Sequence, residues 1–142
     1  MRIYILQMNS DSNLTIQVVA GAGTGKTELS SFDSALNNLG VANYNLIPLS
    51  SIIPPQSKVV KVDRYQTPES EFGHRLYCVK AEMRSAIPGQ FVGAIIGWYQ
   101  YHDNRGLFVE HETVGSSKSE VENSLIELVQ NSLNDLCDFR NI

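Results

Sequence analysis

Two adjacent serines, Ser50 and Ser51, lie between the run Asn45-Leu46-Ile47-Pro48-Leu49 and the run Ile52-Ile53-Pro54-Pro55. A serine hydroxyl can attack the carbonyl carbon of the residue before it. The prolines fix their own φ, push the residues before them away from the α region and remove backbone donors. Ser51 therefore belongs to an extended stretch leaving a strand, where its Oγ could reach the Ser50 carbonyl. The chemistry on offer is self-cleavage of the Ser50–Ser51 bond. The same residues also read as a strand that ends in a polar turn, because Ser and Pro both favour turns.

A rival signal stands upstream. Leu14-Thr15-Ile16-Gln17-Val18-Val19-Ala20 is a β-branched strand running into Gly21-Ala22-Gly23-Thr24-Gly25-Lys26-Thr27. With Ala accepted at the first position, Ala20 to Thr27 satisfies the P-loop pattern between a strand and a helix. Backbone donors of Gly21–Thr27 would then cradle phosphates, with Lys26 on the β/γ oxygens and Thr27 on magnesium. Against nucleotide binding, Val59-Val60-Lys61-Val62-Asp63 is no convincing acidic strand for the metal. The segments after residue 56 also lack the crossover helices that a parallel sheet needs.

Other carboxylates invite a reading. In Leu107-Phe108-Val109-Glu110-His111-Glu112, alternation puts Phe108, Glu110 and Glu112 on one face and Leu107, Val109 and His111 on the other. One metal could not easily collect Glu110, His111 and Glu112 together, so no metal site is expected. Asp33 flanks the apolar stripe of Leu29, Phe32, Leu36 and Leu39. It is either a boundary residue whose head reaches water or a receptor for a cation at a pocket edge.

The elements that would position these residues follow from periodicity and caps. Met1–Ser10 reads as a strand. A helix capped by Thr27 or Ser30 runs to about Leu39 and stops at Gly40. Strands are expected over Lys58–Asp63, Arg75–Met83, Phe91–Tyr101 and Leu107–Glu112, with a hairpin turn at Asp103-Asn104-Arg105-Gly106. Ser117-Lys118-Ser119-Glu120 reads as a capping box opening a helix to about Cys137, with a stripe of Val121, Leu125, Leu128, Val129, Leu133 and Leu136.

The 142 residues fit one domain, 1–142, with no repeat or linker. A hydrophobic content of 42% against 18% charged excludes disorder, and no apolar run is long enough to span a membrane. The formal net charge of −4 argues against a nucleic-acid partner. Cys78 and Cys137 make neither a disulfide framework nor a metal motif, which suits buried free thiols in a cytoplasmic protein.

The chain resembles the pyruvoyl-dependent arginine decarboxylase family. The resemblance is carried by Phe32-Asp33-Ser34-Ala35-Leu36, Asn45-Leu46-Ile47, Leu49-Ser50-Ser51-Ile52-Ile53-Pro54-Pro55 and Gly106-Leu107-Phe108-Val109-Glu110. It implies an α+β fold, an αββα sandwich of mostly antiparallel sheets flanked by helices, self-cleaved and assembled as a homotrimer with sites between subunits. It implies cleavage between Ser50 and Ser51 into a β chain, 1–50, and an α chain, 51–142, that begins with a pyruvoyl group in place of Ser51. That covalent cofactor would serve as the electron sink for decarboxylation of L-arginine to agmatine. Glu110 matches the family's proton donor, and Asn45 its residue for processing and the oxyanion. Asp33, Leu36, Ser50 and Ile52 match its substrate-binding positions.

Overall fold

The computed structural model describes residues 2–7 and 14–142. Eight strands and two helices run in the order β1 (Arg2–Gln7), β2 (Thr15–Ala20), α1 (Glu28–Leu39), β3 (Asn45–Pro48), β4 (Ile52–Ile53), β5 (Lys58–Lys61), β6 (Arg75–Ala81), β7 (Phe91–Gln100), β8 (Gly106–Gly115) and α2 (Lys118–Asp138). They form a five-stranded sheet, β3-β6-β1-β2-β5, and a three-stranded sheet, β4-β8-β7. β1 pairs antiparallel with β2 and β6, while β2–β5 and β3–β6 are parallel. The smaller sheet is antiparallel throughout.

The layers follow from alternation along the strands. Val19, Leu76 and Cys78 of the larger sheet are buried against Leu36 and Leu39 of α1. Their neighbours Val18 and Val79 face the opposite way, into a second core with Ile53, Ile96 and Phe108 of the smaller sheet. α2 covers the outer face of β7 and β8. The order of layers is thus helix, sheet, sheet, helix, the α+β sandwich expected above. Among the described residues, no helix is long and apolar enough to cross a membrane.

Thr27 caps α1: its side chain accepts from the Ser30 backbone at 3.0 Å, and the Ser30 hydroxyl returns the bond to the Thr27 backbone. Gly40 ends the helix with φ of 82° in the left-handed region, a conformation glycine adopts without steric cost. Leu29, expected in the buried stripe, is 73% exposed, and Ala35 is buried instead. The glycine-rich run explains the shift, because it packs on the Ser31–Ala35 flank and turns the buried face that way. Ser117 caps α2, but Glu120 reaches back to Ser116, bonding its N–H at 2.8 Å and its hydroxyl at 2.6 Å.

The nucleotide alternative meets a physical objection here. Gly21, Gly23 and Gly25 do not adopt positive φ. They run back along α1, with Gly25 against Ser30 and Ser31, Gly23 against Ser31 and Ala35, and Gly21 against Leu39. A Cβ at Gly23 would collide with the backbone of both Ser31 and Ala35. Asn38 Nδ2 donates to the Ala22 carbonyl at 2.8 Å, fastening the run along the helix. The glycines are explained by close approach to a helix backbone, not by a phosphate.

Candidate active site

Ser50 and Ser51 form a bridge between the two sheets. On one side, β3 lies in parallel register with β6, and the Leu49 N–H extends the pairing by donating to the Cys78 carbonyl at 2.8 Å. On the other side, Ile52 and Ile53 pair with Leu107 and Gly106 of β8. The Ser51 carbonyl accepts from the Phe108 N–H at 2.7 Å. The Ser50–Ser51 peptide therefore spans from an edge strand of one sheet to an edge strand of the other. Such a short link, flanked by Pro48, Pro54 and Pro55, has few ways to relax.

Pairing with β8 brings a carboxyl to the bridge. Glu110 follows Phe108 by two residues and so shares its inward face. Ser51 Oγ donates to Glu110 Oε1 at 2.6 Å, across 59 positions of sequence. His111 points the other way and meets the Ser132 hydroxyl of α2 at 2.7 Å, as the alternation required. Cys78, next to the bridge in the β3–β6 register, is fully buried. Burial pushes its thiol up to about 11, so it stays protonated near neutral pH and is a poor rival nucleophile.

The other sequence-expected positions are dispersed. Ser50 and Ile52 flank Ser51 and are exposed. Asn45 stands at the far end of β3, where its N–H donates to the His74 carbonyl at 2.8 Å and its Nδ2 to the Gly73 carbonyl at 2.7 Å. Six extended residues separate it from Ser51, about 20 Å of strand. Leu36 is buried between α1 and the larger sheet, on the side of that sheet away from Phe108. Asp33 is exposed on α1. At 100° per residue it lies on the flank opposite Ser31 and the glycine-rich run.

A charged cluster that sequence reasoning passed over lies beyond the end of β6. Glu82 accepts two bonds from Arg84 Nη2, at 2.7 and 2.9 Å, and lies 3.4 Å from Lys80 Nζ. Both cations stand over the Phe32 ring of α1, Lys80 Nζ at 4.9 Å and Arg84 Cζ at 4.2 Å from its centre. The Glu82 N–H donates to Glu112 on the inner face of β8 at 3.3 Å. The signal was present as Lys80-Ala81-Glu82-Met83-Arg84, alternating charges running on from a strand.

With this geometry in view, comparison with known proteins is informative. Residues 15–141 match the family model of pyruvoyl-dependent arginine decarboxylase. The chain belongs to that family. The match includes the glycine-rich run, which has its own packing explanation, so nothing favours the nucleotide alternative. Among similar curated proteins, the pyruvoyl-dependent arginine decarboxylase of Methanocaldococcus jannaschii is 34% identical over 118 residues, covering 82% of this chain and 68% of that protein. That of Methanothermobacter thermautotrophicus is 31% identical over 117 residues, 82% and 74% of the two chains. That of Halobacterium salinarum is 38% identical over 96 residues, 67% and 58%. The pyruvoyl-dependent arginine decarboxylases are decarboxylases whose cofactor is a covalently bound pyruvoyl group. Residue 51 fits such a group: it has a β-hydroxyl, its carbonyl is held by the Phe108 N–H, and a carboxyl stands beside it.

Proposed function

We propose that this chain decarboxylates L-arginine to agmatine and carbon dioxide, with a pyruvoyl group formed from Ser51 by self-cleavage between Ser50 and Ser51. The observation that carries the reading is the 2.6 Å hydrogen bond from Ser51 Oγ to Glu110 at the crossing between the sheets. A carboxylate within hydrogen-bond reach of a hydroxyl is placed to take its proton as the oxygen attacks. Oγ then bonds to the Ser50 carbonyl carbon, the peptide C–N bond breaks, and the Ser51 nitrogen takes up a proton. Loss of the Cα proton and cleavage of the Cβ–Oγ bond release the Ser50 carboxylate. Hydrolysis of the residue that remains expels ammonia.

Once formed, the pyruvoyl group supplies an electrophilic carbonyl that draws off the electron pair left when carbon dioxide departs. The Phe108 N–H keeps the backbone of residue 51 on β8, and Glu110 stays beside it to return a proton to the substrate's Cα. Asp33 receives the guanidinium, whose planar fork matches a carboxylate. Asn45 keeps the processing and oxyanion role that the resemblance gives it, within a homotrimer, although in the single chain it stands at the other end of β3 from Ser51. Leu36, Ser50 and Ile52 complete the substrate-binding positions.

Intact-mass spectrometry of the purified protein, with an assay for agmatine and carbon dioxide from arginine, tests the reading. Two fragments split after Ser50, the second beginning with pyruvoyl, are expected together with turnover of arginine. A single intact chain that releases no carbon dioxide from arginine would overturn it.

A further inference from the structure

The cluster beyond β6 joins the two elements that carry the proposed site. Through Glu82 it is bonded to Glu112, two residues from Glu110 on the same face of β8. Through Arg84 and Lys80 it grips Phe32, the residue before Asp33 on α1. Arg84 is the centre of this arrangement. Its guanidinium lies over an aromatic ring while Nη2 meets both oxygens of Glu82. Arg84 Nη1 also reaches the Glu28 carbonyl in the first turn of α1 at 3.4 Å. Phe32 itself is only half-buried, so the ring depends on these cations as well as on the core for its placement.

We propose that Arg84 is a positioning residue for arginine recognition: held by Glu82 on the Phe32 ring, it sets the placement of α1 and with it the carboxylate of Asp33. The inference rests on the reading that Asp33 receives the substrate's guanidinium. Arg84 touches neither the serine bridge nor Glu110 in this arrangement, so self-cleavage and the proton transfers at residue 51 do not require it. Lysine is not an equivalent substitute, because its point charge can sit over the ring but cannot offer the planar fork to Glu82.

The test is a cycle of Arg84→Ala, Phe32→Leu and the double variant, with Arg84→Lys beside them. Cleavage is read by intact mass, agmatine affinity by calorimetry on the cleaved protein, and kcat and KM for arginine by turnover. Each single variant should cleave fully, bind agmatine roughly tenfold more weakly and raise KM by about the same factor, with kcat within about threefold of the parent. The double variant should be no worse than the poorer single, because the two residues act through one contact. Arg84→Lys should fall between the parent and Arg84→Ala. Unchanged agmatine affinity in Arg84→Ala, a loss in kcat at constant KM, or multiplying effects in the double variant would each overturn the proposal. A parent protein that turns over arginine while these variants match it sinks this inference alone. A parent that cleaves but does not turn over arginine sinks the proposed function, and this inference with it.

Discussion

Ser51 and Glu110 meet only because a two-residue strand pairs with the start of a ten-residue one. Ser51→Ala removes the hydroxyl that would attack, so the chain should remain one piece by intact mass and make no agmatine. Ser50→Ala keeps the carbonyl and should still split. Glu110→Gln keeps the shape of the side chain and loses the proton acceptor, so cleavage of freshly refolded precursor should slow by about 10²–10⁴-fold, the usual worth of a placed acid or base. Cleavage at the parent rate in Glu110→Gln would show that another group takes the Ser51 proton. Asp33→Asn should leave cleavage intact and lower kcat/KM for arginine roughly ten- to a hundredfold, as loss of a charged hydrogen bond does. An unchanged kcat/KM would return Asp33 to the role of a solvated helix-edge carboxylate.

The glycine-rich run and the helix it lies on are one packing unit. Gly23→Val should destabilise the protein by about 1–3 kcal/mol, the range for overpacking a tight contact, read as a lower denaturation midpoint. Lys26→Ala should leave arginine turnover unchanged, because Lys26 has no part in the proposed chemistry. Nucleotide binding abolished by that change would revive the nucleotide reading. At α2, the hydrogen bonds from Ser116 hold the Glu120 carboxyl below the usual carboxylate range. A group depressed on folding contributes stability above its unfolded pKa and loses it as pH falls through the folded value. Glu120→Gln should therefore lower the melting temperature at neutral pH, and the difference from the parent should vanish in acid.

Much of this framework was legible in the chain. Caps at Thr27, Gly40 and Ser117 marked the helices, and period-two alternation put Phe108 with Glu110 and turned His111 to the other side. Leu29 misled because helical periodicity alone cannot say which flank a neighbouring segment will cover. The Gly21–Thr27 pattern misled because glycines that let a chain lie against a helix are the same letters as glycines that cradle phosphate. The grouping of Phe32 with Lys80, Glu82 and Arg84 was not legible because Phe32 lies some fifty residues upstream of the charged run, and a ring under two cations is assembled only by tertiary contact.

The sandwich as a whole decides what a cut between Ser50 and Ser51 leaves behind. Residues 1–50 contribute β1, β2, β3 and α1, and the rest contribute β4 to β8 and α2. In the larger sheet, β6 of the second piece lies between β3 and β1 of the first, and β5 closes the other edge. Each new end is also tied down on its own sheet, Leu49 to Cys78 and Ser51 to Phe108. The pieces should therefore stay together after cleavage without any covalent link. Unfolding them becomes a dissociation, governed by mass action. A tenfold dilution should therefore cost the cut protein about 1.4 kcal/mol more apparent stability per pair of pieces than it costs uncut Ser51→Ala, whose only concentration dependence is that of the proposed homotrimer. Regain of the single subunit's secondary structure after dilution from denaturant should likewise be second order for the cut protein and first order for the uncut one, before any assembly into the homotrimer. The cut would turn a folding problem solved once by a single molecule into an encounter that two molecules must repeat.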